Sequence, residues 1–580
     1  PDVDHLYMKA IQLMGVNGGW PLNCFVLPDG SPIYGGTYFN KEQWLRILNA
    51  LVDTYQNNKE KTIEFAEKLK NELVNEERIK TANSNTSYSE KWLVDVLTNW
   101  RNSFDLVDGG FDYVPKFPMP NNHLSLLFYG IFKRDDSIIN HLNNTLLKMS
   151  FGGLFDQVEG GFARYSTDRI WKVPHFEKML YDNAQLIELY SEGYKLNGSE
   201  EYKNVVYKTF EWLNSGLKTS YGSYLCSQDA DSEGEEGVFY CWSESELESL
   251  LNEDFTWFKA YFNISNEHIW EGNKYILFRD KTLSQFALDK GWPRLELQDK
   301  LEKTLNILNK ARSLREKPCI DTKSLTSWNA LLIKGLCKAY LAFDDVFFLQ
   351  SANEIASWIK NNQLNSDHSI HHNFVHGKAT IEGFLEDYAF TIDAFILLYQ
   401  VSGDIELLEH AKNMAEKVEE DFYSEEHDLC FFSNSNSKLI ARKIVTEDDV
   451  IPSSNSVMAH CFYDLGVYYR RVDWISKSQK MLSRVIGSIE KYPTNYSNWF
   501  LLYFRFTYGN SEISILQDYA VDPSVLKELI HPLRMIAYHN SIPMSKDFSK
   551  GIYVCENQSC LPKINSLDEL ILKFRNDKEI

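Results

Sequence analysis

The sequence predicts a mainly α protein: a closed ring of six helix hairpins, an (α/α)6 toroid, with part of a small α/β domain before it and a small α/β tail after it. Three observations carry this. Amphipathic stretches of helical period recur from about Ser89 to Tyr508: Lys91–Phe104, Leu124–Phe132, Asn140–Ser150, Phe176–Leu196, Glu201–Leu217, Leu297–Leu314, Lys323–Phe343, Phe347–Asn361, Phe384–Ser402, Ile405–Phe422, Ser454–Arg470 and Lys477–Lys491. Short connections pair them, and a lone hairpin cannot bury its apolar face, so the pairs must stack. The hairpins share no register and their loops are long and irregular. That fits a closed ring with elaborated loops over one end better than an open solenoid.

The first forty residues read differently. Asp4 to Met14 is the end of a helix, broken by Gly15-Val16-Asn17-Gly18-Gly19-Trp20-Pro21. Leu22–Leu27 and Ile33–Phe39 are short strands around the turn Pro28-Asp29-Gly30-Ser31-Pro32. Lys41 to about Lys80 is helical and charged, and Thr81–Tyr88 has the composition of a linker. Beyond Tyr508, strands at Ile513–Leu516 and Ile552–Cys555, a helix at Pro523–Leu533 and another at Leu567–Phe574 form the tail. The expected domains are therefore 1–80, 89–508 and 509–580.

Charge excludes one class of partner. With 60 Lys+Arg against 81 Asp+Glu the net charge is −21, which repels nucleic acid. No apolar run is long enough to span a bilayer, so no membrane association is expected. The nine cysteines are scattered, odd in number and mostly in apolar surroundings, which suggests reduced buried thiols in a cytoplasmic compartment. Cys555 and Cys560 form the one close pair and lack a second pair to complete a zinc site, so unpaired or loosely structural thiols are expected there. The chain opens at Pro1 inside a helix and reads as a fragment or a processed form, which leaves a targeting segment open. No metal or cofactor is expected.

Chemistry-bearing residues gather in loops before helices. In Gly152–Asn183, two Gly-Gly steps bracket Asp156 and are followed by Arg164, Trp171, His175, Glu177, Lys178, Tyr181 and Asp182. Read as a helix from Pro174 on, this run puts Glu177 and Tyr181 on one face and Lys178 and Asp182 on another. Such groups can supply acid, base and substrate anchors, or form a polar network that ties hairpins together. Asp229 and Asp231 open an acidic loop that starts like a calcium site, but Tyr240 stands where the closing bidentate Glu is required. The alternatives are an acidic loop at the mouth of a cleft and a solvated loop. Asp321 with Trp328 and Asn329, Glu386-Asp387-Tyr388, and Asn455 stand at three further helix starts. Each alone reads as a cap. Their recurrence suggests that inner-helix N-termini gather around one cavity, shared by Asp156, Arg164, His175, Glu177, Asp229, Asp231, Asp321, Trp328, Glu386, Asp387 and Asn455.

These stretches resemble one family. Pro1-Asp2-Val3-Asp4, Gly18-Gly19-Trp20-Pro21, Gly35-Gly36-Thr37-Tyr38-Phe39, Pro115-Lys116-Phe117-Pro118, Gly152–Asn183, Gln228–Gly234, Leu325–Asn329, Gly383–Ala389 and Ile451-Pro452-Ser453 with Asn455-Ser456 are similar to the thioredoxin-domain proteins related to spermatogenesis-associated protein 20. The resemblance implies a thioredoxin-like domain followed by a toroid of the six-hairpin glycosidase kind, which also looks like the barrel of sugar 2-epimerases. It implies that Trp20-Pro21 is the cis-proline loop, and that the family's Cys-x-x-Cys lies upstream of Pro1, so this chain should have no dithiol activity. A sugar or polyol enzyme, hydrolase or epimerase, is the first functional reading. His175 and Glu177 are its acid/base candidates, with Asp229/Asp231 or Glu386/Asp387 as counterparts. Asp156, Arg164, Trp171, Lys178, Tyr181, Asp182, Asp321, Trp328, Asn329, Tyr388 and Asn455 are its substrate-binding candidates. The alternatives are a redox or redox-sensing protein whose toroid is a binding scaffold, and a non-catalytic sugar-binding protein. Protein partners stay open.

Overall fold

The computed structural model describes residues 2–76, 88–516, 523–538, 551–556 and 559–576. Apart from Tyr88, the expected linker lies outside them. Helix Asp2–Leu13 (α1) leads through a cis Trp20-Pro21 bond to an antiparallel pair, Asn23–Val26 with Pro32–Gly36. A second cis bond, Val114-Pro115, was not foreseen. Helices Lys41–Asn57 (α2) and Lys59–Glu76 (α3) follow. Leu6, Ala10 and Leu73 bury a small cluster against Leu439, Ile440 and Ala441, fixing α1 to the rest of the chain.

The ring then unfolds in order: Glu90–Arg101 (α4), Pro120–Lys133 (α5), Asp136–Phe151 (α6), Leu180–Asn197 (α7) and Glu200–Gly216 (α8). An insertion of Glu244–Leu251 (α9), Phe255–Tyr261 (α10), Leu283–Lys290 (α11) and Arg294–Arg312 (α12) interrupts it. It resumes with Thr326–Phe343 (α13), Val346–Trp358 (α14), Leu385–Ser402 (α15), Ile405–Asp421 (α16), Ser454–Tyr468 (α17), Val472–Ser483 (α18), Ile486–Lys491 (α19) and Ser497–Tyr508 (α20). Helices α5, α7, α13, α15, α17 and α20 each pack on the next, and α20 returns to α5. The inner ring is therefore closed. Outer helices α4, α6, α8, α14, α16 and α18 alternate with the inner ones along the chain, so all six inner helices run the same way and start at one end. Inner helices such as α13 and α15 are buried almost all round, whereas outer helices such as α8 and α16 bury one stripe.

Three expectations about the helices are corrected. The stretch Leu297–Leu314 (α12) is not a ring helix. Its apolar face packs in a separate core with Trp242, Leu247, Phe258 and Phe286. The helix that closes the ring is α20, whose compact aromatic run Trp499-Phe500-Leu501-Leu502-Tyr503-Phe504 shows no amphipathic period because nearly every side is covered. The stretch Phe176–Leu196 becomes helical only at Leu180, since Pro174–His175 and Lys178–Met179 are extended strands. Glu177 and Tyr181 therefore do not share a helical face.

In the tail, Ser511–Leu516 pairs in parallel with Arg534–Tyr538 and antiparallel with Gly551–Glu556, which pairs with Ser559–Cys560. Cys555 and Cys560 face each other across that last pair and form a disulfide, which corrects their reading as unpaired thiols. Ile513, Ile536 and Ile552 join the core of the ring. Among the described residues no helix is long and apolar enough to cross a membrane.

Gly335 lets α13 approach α7. A Cβ there would lie 2.4 Å from the Ala184 carbonyl oxygen, which helix backbone cannot yield cheaply. Gly335→Ala should lower stability by about 1–3 kcal/mol through overpacking, read as a lower urea midpoint with an unchanged m-value.

Candidate functional site

The common start of the inner helices makes one end of the ring a rim of helix N-termini and polar loops. Over α7, the strand Lys178–Met179 pairs with Ser227–Gln228, which pairs with Ile320–Asp321. A second pair, Tyr165–Ser166 with Pro174–His175, stands beside it. These short ladders set Arg164, His175 and Glu177 together. The Arg164 guanidinium lies 3.5 Å from the Glu177 carboxylate, and His175 Nε2 lies 3.6 Å from it. His175 Nδ1 lies 2.7 Å from Glu236, which also accepts from the Phe176 N–H at 3.2 Å. The His175 bond, opposed by burial and aided by Arg164, holds the Glu177 carboxyl below its ordinary range. The Glu177 bond, again against burial, raises His175.

The rim continues through aromatic and backbone contacts. Arg164 lies close enough to Tyr181 for the two to interact electrostatically, and the Tyr181 ring meets the half-buried Trp328 edge to face at 4.7 Å. Next to Trp328, the Ser327 N–H donates to Asp387 at 3.1 Å. The other Asp387 oxygen accepts from the Phe384 N–H and pairs with His372 Nδ1, both at 2.9 Å. Burial opposes the charging of His372, yet Asp387 raises its pKa overall. Glu386 sits beside this pair, 4.0 Å from His372. Burial first, and the Asp387 charge second, push its carboxyl up to about 7.

His372, Glu386 and Asp387 bring ligand atoms within 4.8 Å of one another, so they could hold a cation. Each Asp387 oxygen already accepts one backbone N–H bond.

Arg164, His175, Glu177, Tyr181, Trp328, Glu386 and Asp387 are thus linked by a chain of neighbouring contacts. Other candidates lie elsewhere. Asp156 and Lys178 form a buried ion pair at 2.9 Å, completed by Arg312 at 3.0 Å from Asp156. Although burial opposes its ionisation, Arg312 and Lys178 hold the Asp156 carboxyl below the usual carboxylate range. Trp171 is fully buried and donates its indole N–H to the Asp108 carbonyl at 2.8 Å. Asn329 clamps the backbone of Tyr224, accepting its N–H at 2.7 Å and donating to its C=O at 2.9 Å. Asn455 does the same to Cys430 at 2.8 and 2.9 Å. The Tyr388 hydroxyl accepts the Ile370 N–H at 3.2 Å. Asp229 and Asp231 are exposed, the latter opposite Glu236 in a tight hairpin. Asp321 pairs with Lys323 at 2.7 Å. Asp182, next to Tyr181, is wholly buried with no hydrogen-bond partner for either oxygen among the described residues, and burial pushes its pKa well up.

Two rim residues escaped sequence reasoning. Glu236 comes from the acidic loop, whose first two carboxylates drew attention while the last one reaches His175. His372 lies in His371-His372-Asn373, fourteen residues before Glu386, and only the loop fold brings it to α15. The paired histidines before a Gly-Phe-Leu-Glu-Asp helix start were the available signal.

Known proteins similar to this chain fall into two groups, sequence relatives and solved structures. Residues 1–74 match the family model described as Thioredox_DsbH, a protein of unknown function, DUF255. The chain is similar to spermatogenesis-associated protein 20 of Homo sapiens, at 28% identity over 98% of this chain and 81% of that protein. It is similar to the uncharacterized protein B0495.5 of Caenorhabditis elegans, at 26% identity over 99% and 86%. Among solved structures it is similar to the unsaturated glucuronyl hydrolase of Bacillus sp. GL1, at 11% identity over 72% of this chain and 94% of that one, with a TM-score of 0.41. The chain is thus similar, along nearly its full length, to spermatogenesis-associated protein 20, the resemblance its motifs carry.

Proposed function

We propose that the rim binds a sugar-like, polyhydroxylated ligand and acts on it by general acid–base chemistry, as a hydrolase or an epimerase. One observation carries this reading. Two carboxyls on the same rim are pushed to opposite protonation states: Glu386 is raised to about 7 and Glu177 is lowered. Groups whose environments drive their pKa values apart are what acid–base pairs require. Glu386 is the proton donor, positioned beside His372 and Asp387. Glu177 is the ionised partner, kept so by His175 and Arg164. The half-buried Trp328, backed edge to face by the buried Tyr181, offers a ring suited to stacking on the C–H face of a sugar. Arg164 is placed to hold a substrate oxygen.

Glu386→Gln and Glu177→Gln test the roles. Assays on a panel of mono- and disaccharides should follow new reducing ends, which report hydrolysis, and solvent deuterium at ring carbon, which reports epimerisation. Each variant should lose about 10²–10⁴-fold in turnover with little change in melting temperature. A wild-type chain that neither binds nor turns over any member of the panel would sink the proposal.

The shifted carboxyl also sets a pH dependence. With a folded pKa of about 7 against an ordinary 4.5, Glu386 binds its proton more tightly in the folded chain. Its contribution to stability is present below pH 4.5 and is lost as pH rises through 7. Glu386→Gln should therefore gain stability relative to wild type over that interval, by at most about 1.4 kcal/mol per pH unit. Urea unfolding of both chains at several pH values measures it.

A further inference from the structure

Between the inner helices lies a cavity of about 160 Å³, lined also by Ile530, His531, Pro532 and Met535 of the tail. None of the rim residues lines it. On the scale where one water needs about 10–15 Å³, it holds some ten waters or a small molecule. The ring interior would be expected to be apolar at this depth, yet charged groups face the cavity. Burying them is costly unless they are paired. Most are. Lys334 pairs with Asp393 at 2.6 Å, Lys338 with Glu192 at 3.0 Å, and Arg505 with Asp464. His460 accepts from Arg505 at 2.9 Å and meets the Asn498 carbonyl at 3.0 Å, and burial drives its pKa down to about 3.

Glu188 is the exception. It is 8% exposed, lines the cavity, and has no hydrogen-bond or ion-pair partner among the described residues. Its charge is felt by Lys334 and Lys338, whose pKa values it raises. Those two ammonium groups already have carboxylate partners, so Glu188 is a leftover acceptor. A cationic ligand would have to sit among Lys334, Lys338, Arg505 and Arg534, and an anionic one beside Glu188. A hydroxyl suits both, since it donates to the carboxylate and accepts from an ammonium. Leu124, Leu331 and Leu397 supply apolar wall between these groups.

We infer that this inner cavity is a second binding site, distinct from the rim, for a small neutral polyol or monosaccharide held by Glu188. The inference stands on the cavity and Glu188 alone and does not rest on the reading of the rim. Titration calorimetry of the full chain with glucose and with myo-inositol tests it, with acetate and methylammonium as charged controls. Maltotetraose, too large for the cavity, reports the rim. The wild-type chain should bind at least one neutral probe and neither charged control. Glu188→Gln should weaken that binding about tenfold or more, as expected for a lost hydrogen bond to a charged acceptor. Glu188→Asp, which keeps the charge and shortens the reach, provides a second test should the first variant fold poorly, and it too should bind more weakly. Absence of binding by the wild-type chain, preferential binding of a charged control, or unchanged binding in folded Glu188 variants overturns the inference. Loss of glucose and maltotetraose together in Glu386→Gln, with both kept in Glu188→Gln, also overturns it, by placing all sugar at the rim.

Discussion

The site depends on a backbone clamp repeated around the ring. Asn183, Asn329 and Asn455 stand in the first turns of α7, α13 and α17, each gripping both the N–H and the C=O of one loop residue. The residues gripped are Phe162, Tyr224 and Cys430, each in the loop that precedes the inner helix. An asparagine amide offers one acceptor and two donors, so it can replace a strand partner for a single residue. Buried loops would otherwise carry unsatisfied backbone groups, each costing about 1–3 kcal/mol. The clamps let long irregular loops be drawn down onto the helix starts, and Arg164, His175, Glu177 and Glu236 ride on those loops.

Electrostatics at the rim follow from the same geometry. Six parallel inner helices present their N-termini together, an environment that favours negative charge. Glu177 and Asp387 fit that field, each also held by a histidine. Glu386 does not, because its burial and the charge of adjacent Asp387 outweigh the field. The outcome is two carboxyls a few side chains apart that answer the same pH differently. Lys178 shows the opposite case. It was a substrate candidate by sequence, but its ammonium is consumed by Asp156 and by the Gly160 carbonyl at 2.8 Å, leaving nothing to offer a ligand.

Much of this was legible in the sequence, because each hairpin pairs a largely apolar inner helix with an outer helix that buries one stripe. Helices α13, α15 and α17 begin within a few residues of the expected Lys323, Phe384 and Ser454, whereas α7 begins at Leu180, past the expected Phe176. What failed did so for stated reasons. Amphipathic α12 looked like a ring helix because any helix on any core has that period. α20 showed no period because it is covered nearly all round. Asn329 and Asn455 looked like ligand contacts because a buried amide near a helix start reads alike whether its partner is substrate or backbone. His372 could not be found from local pattern, since its partners Asp387 and Glu386 meet it only through a loop.

The N-terminal part is not a passive neighbour of the rim. His5 of α1 meets Phe432 edge to face at 4.9 Å, Phe432 stacks on Phe384 at 5.2 Å, and Phe384 meets His372 edge to face at 5.0 Å. Burial lowers the pKa of His5 to about 4, so it enters this row as a neutral ring. The Phe384 N–H is also one of the donors that fix Asp387. The row of four rings therefore ends on both groups that position Glu386. Close-packed aromatic rings transmit displacement poorly along soft directions and well along their contacts. The wall of the candidate site is thus built in part by the segment that resembles a thioredoxin-like domain, and the geometry that sets the protonation of Glu386 is shared between the two parts of the chain.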